Sequence, residues 1–231
     1  MCRNGRSLTP VARDINSLHR VIPPPEGKPV RPEAQANQEL VASILQDPDV
    51  WTPELADFTS QVFDAMSETW VDDRSSYRPA PLLDALARGD VGLGQPCLEI
   101  GSGTGVLTPY LVDKWHEVVC VDISMGMMGL NRHECQVQAD ALALPFPDAS
   151  FGTIVFGDAP LFVAETLRVM RHDATLVWCN ALGTGAPYYL PVDDLFDALA
   201  SHAPESRWSA STSDALWGSW TVFRRGDAPA S

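Results

Sequence analysis

The strongest chemical signal in the sequence is a glycine-rich segment between an apolar run and a helix-compatible stretch. Residues 98–106 have the sequence LEIGSGTGV, with Glu99 two positions before Gly101. Glycine lets the backbone turn tightly and lets a ligand approach without interference from a Cβ atom. The N-terminus of the following helix would offer free N–H groups to an anionic end of that ligand. The spacing is GxGxG rather than the GxGxxG of dinucleotide binders, so it predicts a different cofactor turn.

A carboxylate follows at the end of the next apolar run. That run, Val118–Val121, leads directly into Asp122. A carboxylate at the end of a strand can accept hydrogen bonds from both hydroxyls of a ribose. The alternative is that Asp122 only caps the helix that follows.

These segments together resemble class I S-adenosylmethionine-dependent methyltransferases. The resemblance extends over roughly residues 95–180 and is weaker as far as Arg225. It rests on the glycine-rich segment, on Asp122-Ile123-Ser124 followed by Met127, and on residues 138–151.

The resemblance implies S-adenosylmethionine as cofactor and assigns roles to individual residues. The glycines would pass along its methionine part, and apolar side chains after Asp122 would flank the adenine. Asp140 would accept a hydrogen bond from the adenine amino group, with the Ala141 backbone beside the ring. The implied cofactor-binding residues are Glu99, Gly101, Ser102, Gly103, Gly105, Asp122, Ile123, Met127, Asp140, Ala141 and Gly157.

Three features depart from the family pattern. Phe151-Gly152 stands where the family usually has Phe-Asp, and His172-Asp173-Ala174 stands where it has Pro-Gly-Gly. Both would lie at the edge of the sheet opposite the cofactor. The short stretch from Gly157 to Glu165 leaves little room for the helix expected after the fourth strand of the family. We therefore expect an unusual substrate side.

The pattern of apolar runs predicts an α/β fold. From about residue 95, short apolar runs alternate with helix-compatible stretches, which is typical of a parallel sheet with helices on both faces. The aromatic-rich tail from Arg207 to Arg225 predicts an antiparallel pair. With the resemblance, we expect a Rossmann-like, mostly parallel seven-stranded sheet that ends in an antiparallel C-terminal pair of strands.

The first part of the chain predicts a helical N-terminal extension. Helices are expected at 8–20, from Glu33 to Gln46 and from Thr52 to about Val71, separated by a proline-rich linker. The third carries an amphipathic stripe whose main interpretation is packing on the domain, the alternative being a partial substrate contact; its members are Leu55, Phe58, Val62, Phe63, Met66 and Trp70. We expect residues 1–90 to form a lid, with the loop from Ala181 to Pro191, over a cofactor-binding domain at 91–231.

Candidate catalytic residues follow from the rule that ligands bind at the carboxyl ends of parallel strands. His116, His133 and His172 each precede a predicted strand, so they are interpreted as structural. The catalytic group stays undetermined from sequence, and no metal-ligand cluster is visible. The weak candidates are Asp158, Tyr77, Tyr188 and His19, with Arg78, Asn180, Tyr189 and His202 as further groups that could face the substrate or the cofactor.

Composition limits the partners. The formal charge of −14 at pH 7 argues against a nucleic-acid substrate, because phosphate binding needs a basic surface. No apolar run is long enough to predict a membrane span, and no apolar segment after the basic N-terminus predicts a secretory signal. Three of the five scattered cysteines lie in apolar runs and are predicted to be core residues, and a reducing, cytoplasmic setting is the expected default.

The favoured function is methyl transfer from S-adenosylmethionine to a small-molecule acceptor. Aromatic residues in the expected lid favour an apolar or aromatic acceptor. One alternative is a non-catalytic partner subunit or regulator that binds the same cofactor. Others are a nicotinamide-dependent Rossmann oxidoreductase and an enzyme that modifies protein or nucleic acid. The acceptor atom and the oligomeric state stay open.

Overall fold

A single eight-stranded sheet forms the centre of the computed structural model, which describes residues 13–27, 34–70 and 77–227. Its order is β1-β7-β8-β6-β5-β2-β3-β4. The strands are β1 (Ile15–Ser17), β2 (Cys97–Ile100), β3 (Val118–Asp122), β4 (Gln136–Gln138), β5 (Phe151–Gly157), β6 (Met170–Asn180), β7 (Ser206–Ala215) and β8 (Gly218–Asp227).

Parallel pairing brings the ends of the central strands to one edge of the sheet. Cys97 at the start of β2 pairs with Val118 in β3 and Thr153 in β5, so these strands run in step. β8 is antiparallel to both β6 and β7. The Rossmann-like, mostly parallel sheet with an antiparallel C-terminal pair is thus confirmed.

Helices cover both faces of the sheet, as the alternating pattern predicted. They are α1 (Ala34–Gln46), α2 (Pro53–Ser67), α3 (Ala80–Arg88), α4 (Thr108–Val112), α5 (Met125–Met128), α6 (Val163–Val169) and α7 (Val192–His202). Neighbouring residues of β5 belong to different cores: Ile154 shares one hydrophobic cluster with Leu199 of α7, and Val155 shares the other with Leu82 of α3. This alternation is what a strand buried on both sides requires.

The N-terminal segment departs from the expected helix at 8–20. Ile15–Ser17 forms β1, which pairs in parallel with β7 and makes the sheet eight-stranded rather than seven-stranded. Ala210 N donates to Asp14 O at 2.7 Å, and Leu18 N donates to Thr212 O at 2.8 Å. β1 thereby supplies backbone partners to the outer edge of β7. Residues 8–12 lie outside the described residues.

The two longer N-terminal helices are confirmed within the described residues. α1 ends at Gln46 as expected, and its predicted first residue, Glu33, lies outside them. Thr52 caps α2 by accepting from Leu55 N at 3.3 Å, with Pro53 as the first helical residue. α2 ends at Ser67, and Val71 lies outside the described residues. The boundary between residues 1–90 and 91–231 stays a prediction.

The expected lack of room for a helix after Gly157 is wrong. The chain turns through residues 158–162 and then forms α6, which begins at Val163. The helix is accommodated because no loop separates it from the next strand: α6 ends at Val169 and β6 begins at Met170.

Three of the cysteines, Cys97, Cys120 and Cys179, are buried and free, as expected for core residues, whereas Cys135 is exposed. Cys2 lies outside the described residues. Within the described part of the chain, no helix combines the length and apolar character that crossing a membrane requires.

The unusual Phe151-Gly152 pair has a steric explanation. A Cβ atom on Gly152 would lie 2.5 Å from the backbone carbon of Gly94, and one on Gly94 would lie 2.6 Å from Gly152 O. The two backbones therefore touch where the chain enters β5. Thr153 Oγ1 reinforces this contact by donating to Gly94 O at 3.0 Å.

We predict that Gly152→Ala lowers the free energy of unfolding by about 1–3 kcal/mol, because the added methyl group has no space. The matched control is Gly226→Ala, whose Cβ would meet no heavy atom within 4 Å. That control should change stability by less than about 0.5 kcal/mol. Urea unfolding of both variants checks this, and equal effects would contradict the steric explanation.

Candidate active site

A cavity opens at the edge of the sheet where the central parallel strands end. The loops that follow β2, β3, β4 and β5 form one side of it. Residues of the N-terminal extension and of the loop after β6 form the other side. This is the position at which open parallel sheets bind ligands.

The glycine-rich loop after β2 adopts a conformation that suits glycine. Gly101 has φ +74° and Gly103 has φ +50°, and a Cβ on Gly101 would lie 2.6 Å from the Ala159 side chain. Ser102 lines the cavity, yet its buried Oγ has no hydrogen-bond partner among the described residues. Such an orphan hydroxyl is expected where a ligand supplies the missing partner.

Asp122 holds the glycine-rich loop from the neighbouring strand. Its Oδ2 accepts from Gly103 N at 2.8 Å, and its Oδ1 accepts from Ser124 N at 2.9 Å. Burial raises the pKa of this carboxyl group, and the backbone N–H groups around it act in the opposite direction. The alternative that Asp122 only caps α5 is wrong, because Ser124 is the N-cap of that helix. Asp122 instead joins two cavity loops and lines the cavity itself.

Asp140 lines the cavity, and its carboxylate already accepts from two donors. Its Oδ1 accepts from Leu142 N at 2.9 Å. Its Oδ2 accepts from the indole N–H of Trp51 at 2.9 Å, and Trp51 comes from the N-terminal extension. Ile123, Met127, Ala141 and Gly157 also line the cavity, as the resemblance implied.

Glu99 and Gly105 are not among the residues that line this cavity. Glu99 is fully buried behind the loop, where its Oε2 accepts from Thr108 Oγ1 at 2.6 Å and from the Cys120 thiol at 3.4 Å. Gly105 has φ +79°, and a Cβ there would lie 2.5 Å from Asn131 Oδ1. The geometry favours a role in shaping the loop for both residues.

Asp158 follows β5 and is held in place by the end of β6. It has φ +54°, a conformation that is uncommon for a residue with a side chain. Its Oδ1 accepts from Asn180 Nδ2 at 3.2 Å and from Ala181 N at 3.3 Å. The Arg78 guanidinium lies 3.7 Å from its Oδ2 and 5.5 Å from the centre of the Trp70 ring. These contacts orient a carboxylate into the cavity.

Tyr188 is the candidate tyrosine that reaches the cavity. Burial raises the pKa of Tyr188 to about 12, and the charges of Asp158 and Asp122 act in the same direction. Its hydroxyl therefore stays protonated at neutral pH and can donate a hydrogen bond, which makes it unsuited to act as a base.

The other candidate groups lie elsewhere. Tyr77 packs against Trp217 with ring centres 5.2 Å apart and does not line the cavity. Tyr189 is half-buried and is likewise not among the lining residues. His19 and His202 have exposed side chains outside the cavity, and Asn180 acts through Asp158. Among the described residues, no group of acids, cysteines and histidines could hold a metal ion.

Aromatic side chains form part of the cavity wall. Sequence reasoning anticipated Phe63 and Trp70 as part of a stripe on α2 and beyond, and both line the cavity. It missed Trp51 and Phe162, whose rings meet edge to face at 5.7 Å. Phe58 is 63% exposed, so the predicted stripe divides between the cavity and the surface rather than packing as one face.

The charges around the cavity are mainly negative. Its charged lining residues within the described chain are Asp122, Asp140, Asp158 and Arg78, three carboxylates against one guanidinium. Such a site favours a ligand that carries positive charge, because opposite charges in a partly enclosed cavity are weakly screened.

Residues 98–177 match the family model described as a methyltransferase domain. The chain is 33% identical over 129 residues to the ubiquinone/menaquinone biosynthesis C-methyltransferase of Erwinia tasmaniensis, an alignment that covers 47% of this chain and 50% of that protein. It is 35% identical over 115 residues to the demethylmenaquinone methyltransferase of Mycobacterium marinum, with 46% and 47% covered. The chain thus spans about half the length of these curated relatives.

Solved structures share the fold. A methyltransferase from Thermotoga maritima aligns with a TM-score of 0.54 over 73% of this chain and 99% of its own, at 15% identity. Phosphoethanolamine N-methyltransferase 1 of Haemonchus contortus aligns with a TM-score of 0.58 over 78% of this chain and 51% of its own, at 13% identity. Residues 98–177 therefore carry a methyltransferase domain, on a fold that solved methyltransferases share.

The cavity fits S-adenosylmethionine, the cofactor of the methyltransferases that the chain resembles. S-adenosylmethionine carries a sulfonium and an ammonium against one carboxylate, which suits the acidic lining. The orphan Ser102 hydroxyl and the open space around Gly103, where a Cβ would meet nothing closer than 4.0 Å, leave room on the glycine-rich loop. Individual cofactor contacts remain predictions.

We predict that Glu99 makes the domain less stable as the pH rises. Burial is the main cause that raises the pKa of Glu99 from 4.5 to about 7. The charge of Asp122 also raises this pKa, whereas the hydrogen bonds from Thr108 and Cys120 lower it. The folded chain therefore holds this proton at pH values where the unfolded chain has lost it. Unfolding releases the proton in that window, and stability falls as the pH rises from about 4.5 to about 7.

Glu99→Gln removes this titration. The free energy of unfolding of the variant minus that of the native chain should rise by up to about 3 kcal/mol between pH 5 and pH 8. Glu117→Gln, at an exposed position before β3, is the control and should show no such trend. Urea unfolding at each pH gives the comparison, and a constant difference for Glu99→Gln would contradict the prediction.

Proposed function

We propose that the chain transfers the methyl group of S-adenosylmethionine to a small-molecule acceptor. The observation that carries the proposal is that one cavity joins the glycine-rich loop and the acids Asp122 and Asp140 with an aromatic wall that includes Phe63 and Trp70. The cofactor would lie along the loop and the two acids. The aromatic section beside Asp158 is left for an acceptor.

The chemistry of the transfer places modest demands on the protein. The cofactor supplies an activated methyl group on a positively charged sulfur. The bond from the methyl carbon to sulfur breaks, its electron pair stays on sulfur, and a new bond forms to the acceptor. Holding the acceptor in line accounts for much of the rate, since well-oriented pairs are worth up to about 7–11 kcal/mol. The chain must also remove a proton when the acceptor carries one.

Asp158 is the residue proposed to take up that proton. It lines the cavity and is fixed by Asn180 and by the Ala181 backbone N–H. Arg78 and the protonated Tyr188 hydroxyl are proposed to orient the acceptor by donating hydrogen bonds to its oxygen atoms.

We further propose an aromatic, oxygen-bearing acceptor such as a hydroquinone. Support comes from the walls formed by Phe63, Trp70 and Phe162, which offer apolar faces to a planar ring. The names of the two relatives point the same way, since one acts in ubiquinone and menaquinone biosynthesis and the other on demethylmenaquinone.

We predict that Asp122→Asn weakens binding of S-adenosylhomocysteine by about tenfold or more. The change removes the charge and one of the acceptor oxygens that hold Gly103 and Ser124. Calorimetry on the native chain, the variant and the exposed control Asp113→Asn measures the effect. Equal affinity in all three would contradict the assigned role of Asp122. If the native chain binds no S-adenosylhomocysteine, the proposed function itself fails.

We predict that Asp158→Asn lowers turnover by a factor of about 10² to 10⁴ while binding of S-adenosylhomocysteine changes little. Asparagine tolerates positive φ, so the backbone at this position is preserved. The assay follows the methylated acceptor and S-adenosylhomocysteine by mass spectrometry across hydroquinones, phenols and amines. Cofactor binding without methylation of any acceptor would favour the alternative of a non-catalytic partner subunit or regulator.

A further inference from the structure

The N-terminal extension contacts the part of the cavity where the adenosine of the cofactor is proposed to lie. Trp51 donates to the Asp140 carboxylate after β4. Ser60 Oγ donates to Ile123 O at 2.9 Å, in the loop after β3. Asp64 accepts from Ser124 Oγ at 2.5 Å and from Gly126 N at 2.8 Å. The extension therefore braces both loops on which adenosine recognition is proposed to depend.

Trp51 is rigidly placed for this contact. Its side chain is 5% exposed, and its ring packs against Phe162 and Ile44 in a small apolar cluster. Thr52, the next residue, is fixed as the N-cap of α2. The indole N–H thus reaches Asp140 from a well-packed position, and the indole also lines the cavity.

The Asp140 carboxylate has capacity for a third donor. An ionised carboxylate offers about four lone-pair positions on its two oxygens. The Leu142 N–H takes one on Oδ1, and the Trp51 indole takes one on Oδ2. Two donors from two sides hold the carboxylate plane in one orientation, and a further donor from the cavity can still be accepted.

We propose that Trp51 is a positioning residue for adenine recognition, which orients Asp140 toward the 6-amino group of the cofactor. The N-terminal extension then closes over the adenosine half of the cavity as well as over the acceptor. The inference rests on the proposed function, because it takes S-adenosylmethionine as the ligand. On this proposal, Trp51 contributes to cofactor specificity although it lies outside the matched residues 98–177.

The test compares two ligands whose purine rings differ around C6, where the amino group is replaced by an oxo group and N1 gains a hydrogen. S-adenosylhomocysteine carries the 6-amino donor, whereas S-inosylhomocysteine carries a 6-oxo acceptor that a carboxylate repels. Calorimetry on the native full-length chain should give a clear preference for the adenosyl ligand. Trp51→Phe keeps an aromatic ring and removes the N–H. It should reduce that preference by about fivefold to thirtyfold, the range for losing a hydrogen bond to a charged group.

The control and a second variant separate positioning from simple destabilisation. Trp115→Phe makes the same change at a buried tryptophan whose Nε1 has no hydrogen-bond partner among the described residues and which does not line the cavity. It should leave the preference unchanged. In an Asp140→Asn background, Trp51→Phe should have little further effect on the preference, because Trp51 is proposed to act through that carboxylate.

Two results would overturn the inference while leaving the proposed function intact. The first is an unchanged preference in Trp51→Phe, with native-like binding of S-adenosylhomocysteine. The second is tighter binding of S-adenosylhomocysteine by Trp51→Phe, which would mean that the indole competes with adenine for Asp140. Absence of binding by the native chain is a different outcome, since it overturns the proposed function together with the inference.

Discussion

The geometry of the cavity depends on the carboxylate of Asp122 and on the strand that delivers it. Parallel pairing with β2 places Asp122 beside the glycine-rich loop, where it accepts the Gly103 N–H. The same carboxylate accepts the Ser124 N–H at the start of α5. Ser124 in turn donates to Asp64 of the N-terminal extension. One half-buried acid therefore connects the central sheet, the glycine-rich loop and the extension, and the position of each depends on the others.

The cavity and the loop behind it hold several acidic side chains close together, which is electrostatically unfavourable in the absence of a ligand. Burial raises the pKa of Asp122 and that of Glu99, so ionisation of either group is less favourable in the folded chain than in water. Backbone N–H groups offset part of this cost at Asp122, and Arg78 faces Asp158. A cationic ligand would offset the remaining electrostatic cost of these acidic groups. Ligand binding should therefore stabilise the folded chain, since any ligand that binds only the folded state does so.

Local spacing predicted that the glycine-rich loop and Asp122 lie at the ends of strands, whereas Asp140 was implied by the resemblance to the methyltransferase family. The glycines and the acids Asp122 and Asp140 occur where apolar runs stop, and parallel strands bring such positions to one edge. The same reasoning could not find Trp51, nor the contact of the candidate Arg78 with Asp158, because these contacts join distant parts of the chain. Nor could it find β1, since Ile15-Asn16-Ser17 is too short and polar to show strand periodicity.

Trp51 and Trp70 lie on either side of α2 in the chain, so a movement of α2 would displace both residues. Trp51 holds the adenine end through Asp140, whereas Trp70 lies under the Arg78 guanidinium that faces Asp158. Ser60 and Asp64, between them, bind the loop after β3. A rigid displacement of α2 that admitted an acceptor would therefore also break contacts to the adenosine loops. If the extension moves as a rigid unit, cofactor binding and acceptor binding in the cavity are coupled. A bound cofactor that orders the adenosine loops would then favour the position of α2 that encloses the acceptor.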